Sequence, residues 1–134
     1  MEGSQAPADE IPDMDVKVEL DPEAAHPLVK HAWEQAIRLR LHELDFAPGD
    51  DPARLRTKRR SLDTLHYLIT AGGFVDGVQI QLLTHLLGHY AESVRDREMP
   101  PWPGGQYEFL AHQLEEEQAV ELAAQYLAER VATV

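Results

Sequence analysis

Apolar residues recur at helical spacing in four stretches of the chain, with proline- and glycine-rich segments between them. The widest apolar face belongs to Phe74–Asp96. At about 100° per residue, Val78, Ile80, Leu82, Leu83, Leu86, Leu87, Tyr90, Ala91 and Val94 cover roughly half the circumference, against a stripe of about 100° on an ordinary surface helix. A helix of that width needs more than one neighbour, so this stretch is expected at the centre of the fold. His85, His89, Glu92 and Asp96 line its polar edge.

Residues 1 to about 20 carry Pro7, Pro12 and many acids but no periodic apolar face, and read as a disordered acidic arm. Val16, Val18 and Leu20 alternate with Lys17 and Glu19 in a strand-like pattern, but no partner strand is visible elsewhere. Asp21-Pro22-Glu23 is a helix-start signature, and Pro27 sets the main helix one introductory turn later. That helix runs to about Asp45, with Leu28, Val29, Ala32, Trp33, Ala36, Ile37, Leu39 and Leu44 on one side. Asp51-Pro52 repeats the start signal. A helix over about 53–71 follows, ended by Gly72-Gly73, with Ser61 as an alternative cap that would leave the bases before it in a loop. Asp76 can cap the next helix, about 76–97. Met99-Pro100-Pro101-Trp102-Pro103-Gly104-Gly105 excludes a helix, and Trp102 there either folds back or marks a contact surface. In the last helix, about 106–131, the apolar face moves. Tyr107, Leu110, Ala111 and Leu114 point one way. Ala119, Val120, Leu122, Ala123, Tyr126 and Leu127 point another, with the shift at Glu115-Glu116-Glu117. Either the helix bends there or its halves pack on different partners.

Length and composition fit one folded domain, 21–134, behind the arm. The chain has no cysteine, which removes disulfides, thiolate zinc sites and cysteine nucleophiles. No run approaches the roughly 18 apolar residues of a membrane span, and the acidic start is not a secretory signal. A cytoplasmic protein with no membrane association is the expectation. The net charge of −12 disfavours a general nucleic-acid binder. The charge is also unevenly placed: residues 1–23 carry −7, residues 24–97 carry +1 and residues 98–134 carry −6.

Three chemistries remain. His85 and His89, four apart with Glu92 a turn further, have a spacing that can share a divalent metal ion. The zinc-protease pattern is absent because Leu86 follows His85, and a bundle site would need further ligands from a facing helix, among them His31, His42, His66 and His112. Arg54, Arg56, Lys58, Arg59 and Arg60 form the only basic cluster and could meet phosphates. A helix-turn-helix reading fails on the absence of Lys and Arg from Val78–Tyr90. The third chemistry is protein contact, through Trp102, Tyr107, Leu110, Leu114, Tyr126 and Leu127. No nucleophile elbow, phosphate loop or dinucleotide fingerprint is present.

The sequence therefore points to an all-α bundle of about four helices acting without catalysis and without a required cofactor. Its partner would be another protein or a second copy of itself. Accessory proteins of phages and mobile elements share this profile.

Overall fold

The computed structural model describes residues 16–46 and 49–133. The acidic arm before Val16 lies outside the described residues. Among those described, the chain forms four helices, α1 (Pro27–Leu44), α2 (Pro52–Ala71), α3 (Gly77–Arg95) and α4 (Gly105–Ala132), and two short strands, β1 (Val18–Leu20) and β2 (Gly73–Val75). The all-α bundle expected from the apolar periodicity is the fold.

Local chemistry explains where the helices begin. Asp21 accepts from the Glu23 amide at 3.2 Å and opens a single 3-10 turn, Pro22–Ala24. Pro27 then occupies the first turn of α1, where its missing N–H costs nothing. Asp76 and Gln79 form a reciprocal capping box on α3: each side chain accepts from the other's amide, at 2.8 and 2.9 Å. Ser61 caps nothing, because α2 runs unbroken through it.

The strand-like alternation at Val18 and Leu20 does find a partner. β1 pairs antiparallel with β2, Val18 opposite Val75 and Leu20 opposite Gly73. Residues 18–20 thus belong to the folded domain, with Val18, Leu20 and Val75 in its core. The Gly72-Gly73 pair has more to do than end a helix. Gly72 has φ +91°, and a Cβ there would sit 3.1 Å from the Leu20 carbonyl; Gly73 has φ +145°, and its Cβ would meet Leu68 at 2.6 Å. Glycine lets α2 stop, reverse and pass close under β1.

Helix α1 is the hub. Among the described residues it packs against each of the other three helices. Its buried face is Val29, Ala32, Trp33, Ala36, Ile37 and Leu44. Ala32 and Ala36 let a neighbouring backbone approach, and Trp33 fills the centre, its Nε1 donating to the Leu83 carbonyl at 3.2 Å. Helix α3, expected at the centre, is one of the outer three. It buries Ile80, Leu83, Leu86, Leu87, Tyr90 and Val94, but Val78 is exposed and Leu82 only half-buried, so its buried face is narrower than its apolar pattern.

A histidine–glutamate contact ties α1 to each outer helix. Glu34 meets His66 of α2 at 3.5 Å, Glu43 meets His89 of α3 at 2.7 Å, and His31 meets Glu116 of α4 at 2.8 Å. Helix α4 also holds the N-terminal segment. Tyr126 Oη accepts from the Asp21 amide at 2.7 Å, and Arg130 Nε donates to the Glu19 carbonyl at 2.8 Å.

Candidate functional site

Helix α4 is continuous through Glu115–Glu117, and only its second half turns its apolar face inward. Ala119, Ala123 and Leu127 are in the core, whereas Tyr107 is 84% exposed, Leu114 66%, and Leu110 is also open to solvent. Tyr107, Leu110 and Leu114 stand at i, i+3 and i+7, so they form one stripe along the first two turns. Trp102 precedes them. Its indole lies against Gly105, at a place where any Cβ would collide, and still leaves the ring 61% exposed. It folds back and faces solvent at once. Exposed Glu108, Glu115 and Glu117 flank the stripe with negative charge.

Tyr126 and Leu127 do not belong to this surface. Leu127 is buried, and Tyr126 packs edge-on against Trp33, ring centres 6.4 Å apart, with its hydroxyl engaged by Asp21. They sit past the point where the face of α4 rotates, so they point into the domain.

The expected metal group at His85, His89 and Glu92 does not assemble. His89 turns to α1 and binds Glu43, and these three side chains do not converge on a common point. Burial raises the Glu43 carboxyl. The hydrogen bond and charge of His89, followed by those of Arg40, outweigh burial and leave the carboxyl below its ordinary value.

The basic cluster lies on the first half of α2, and two of its five charges are already answered. Arg59 pairs with Asp45, and Lys58 with Asp50 at 3.3 Å. Arg54, Arg56 and Arg60 remain exposed.

A different polar centre appears where α1, α3 and α4 meet. Glu116 is 3% exposed, the only buried charged residue among those described. Tyr90 donates its hydroxyl to Oε1, and His31 Nε2 lies 2.8 Å from Oε2. Burial pushes the Glu116 carboxyl up. The hydrogen bonds from Tyr90 and His31, with the charges of His31 and His112, more than offset it and hold the carboxyl below its ordinary value. Burial also pushes the Tyr90 phenol up. Its bond to Glu116 and that residue's charge add to the effect, Arg97 opposes it, and the phenol ends at about 12. His112 and Glu115 complete the neighbourhood, their donor atoms and those of Glu116 within 4.8 Å of one another.

No protein-family model, curated protein or solved structure matches this chain.

Two pH responses follow from Glu116 and Tyr90. With the carboxyl depressed in the fold, the unfolded chain takes up a proton first as pH falls. The stability it contributes is whole at neutral pH and is lost below about 4.5. The raised phenol has the opposite sign: above pH 10 the unfolded chain gives up its proton first, and stability falls as pH rises towards 12. A spectrophotometric titration of the phenols should show a late ionisation near pH 12 that is missing from Tyr90→Phe. An unchanged titration would place that phenol elsewhere.

Proposed function

We propose that the protein is a non-catalytic contact module, an adaptor, inhibitor or assembly subunit, whose docking surface is the first half of α4. The observation that carries this reading is the stripe Tyr107, Leu110 and Leu114, with Trp102 beside it, large apolar side chains set at one spacing and left in water. Surfaces of this kind mark interaction sites, and aromatic side chains dominate interface energetics. The acidic flank selects the partner. Two copies of the stripe laid face to face would bring Glu108, Glu115 and Glu117 towards their own images, so the complementary surface is an apolar patch with a basic rim on another protein.

Changing Tyr107 and Leu114 together to Glu tests this. Both side chains are exposed, so the melting temperature should stay within a few degrees of wild type. Native mass spectrometry of the chain isolated from its own cells should show a stoichiometric second protein that the double variant loses. Affinity for that protein should fall by about 2 kcal/mol or more, roughly thirtyfold. A partner retained by the variant overturns the reading, as does a wild-type chain that is monomeric and alone. A homo-oligomer broken by the same two changes would overturn the choice of partner and leave the surface in place.

A further inference from the structure

The buried Glu116 carboxylate has no lysine or arginine within ion-pair distance among the described residues; its salt-bridge partner is the His31 imidazole. An anion so far out of water needs compensating positive charge.

The side chains around this carboxylate are the kind that hold a metal. His112, Glu115 and Glu116 stand at i, i+3 and i+4 on α4, which sets three donors on one side of the helix. Their donor atoms already lie within 4.8 Å of one another. His31 brings a nitrogen from α1 to 2.8 Å from Glu116 Oε2. Tyr90, from α3, donates to the other carboxylate oxygen, in the position of an outer-shell group that fixes a ligating carboxylate. His112 and Glu115 are exposed, so their rotamers can adjust and an ion can enter from solvent, while Glu116 forms a rigid floor.

We propose that Glu116, His112 and Glu115 bind one divalent transition-metal ion of the zinc class on α4, with His31 and Tyr90 as outer-shell partners of the Glu116 carboxylate. An imidazole with two carboxylates suits zinc or cobalt, whereas calcium and magnesium favour oxygen donors throughout. Metal binding needs its ligands deprotonated, so affinity weakens as pH falls. The site shares Glu115 with the acidic flank of the apolar stripe, but it uses none of the apolar side chains of the stripe and does not depend on the contact reading.

The test uses the whole 134-residue chain, stripped with chelator and titrated with Co2+ alone, then with Zn2+ in competition. Visible absorption and native mass spectrometry provide the readout. One ion per chain is expected, with visible cobalt bands that zinc abolishes, and zinc should raise the melting temperature. His112→Ala and Glu115→Gln change exposed residues, so both should fold as wild type and bind at least about tenfold more weakly, a loss of about 1.4 kcal/mol. Tyr90→Phe should weaken binding by roughly tenfold to a hundredfold through the outer shell. The paired change His85→Ala and His89→Ala should leave affinity unchanged. The proposal is overturned if no binding tighter than about 100 μM is found. It is equally overturned if affinity survives His112→Ala and Glu115→Gln, or is lost with His85 and His89.

Discussion

Trp33→Ala should destabilise the domain by about 3–5 kcal/mol and lower its melting temperature by roughly 10–20 °C. The expectation rests on where the indole sits. Trp33 is among the largest fully buried side chains, on the helix that packs against all three others, and it meets Tyr126 of α4 edge-on. Truncation removes the apolar contact, the donor to the Leu83 carbonyl and the packing partner of Tyr126, and it leaves a cavity where the elements converge. Trp33→Phe separates these effects: it keeps most of the buried area, loses the donor, and should cost about 1–2 kcal/mol. Urea denaturation measures both. A cost under about 1 kcal/mol for Trp33→Ala would mean that α1 is not the hub.

Val18→Asp should cost about 3–5 kcal/mol, the scale of an uncompensated buried charge. Val18 faces Val75 across the strand pair, and both are buried. A carboxylate there has no described basic partner. The alternative is for the strand to detach, which gives up the burial of Val18, Leu20 and Val75 together. Lys17→Ala, one residue away on the exposed side of the strand, should stay within about 0.5 kcal/mol. Equal midpoints for the two variants would show that the N-terminal strand adds nothing to the fold.

These two variants fall on either side of what could be read from the chain. The helix boundaries were legible because the chain punctuates them: Asp21-Pro22, Pro27, Asp51-Pro52, Gly72-Gly73, Asp76, and the Pro-Trp-Pro segment. Each has a local physical reason that needs no tertiary knowledge. The pairing of Val18–Leu20 with Gly73–Val75 was not legible, since three residues between two helices carry no period and the partner lies beyond α1 and α2. The hub was misplaced for a related reason. Apolar width along one helix counts residues such as Val78, which the fold leaves half exposed. What makes α1 central is its pair of alanines and its tryptophan, a matter of fit that a count of apolar positions overlooks.

The site shows the same division. The displaced face of α4 was visible as a change of phase, and Tyr107, Leu110 and Leu114 are indeed the exposed part. Tyr126 and Leu127 were grouped with them because residue type alone does not tell an inward aromatic from an outward one. Glu116 was hidden in a run of three acids that reads as a solvated face. Its burial depends on the rotation of α4 against α1 and α3, which places the middle acid inward and leaves its two neighbours in water. The available signal was the spacing His112, Glu115, Glu116, with the charged run falling where the helix changes face.

The position of the hub ahead of the other three helices also sets the order of events during synthesis. Helix α1 leaves the ribosome before α2, α3 and α4, and the second half of α4 is the last of these described segments to emerge. Trp33 waits for Tyr126, Val18 waits for Val75, and the strand that precedes α1 is fastened by Tyr126 and Arg130. Until those last turns are free, the nascent chain displays the part of α1 that α4 covers, the kind of surface that draws chaperones or aggregates. A chain stalled within α4 therefore lacks part of the cover of α1, and the domain closes only once the second half of α4 is free.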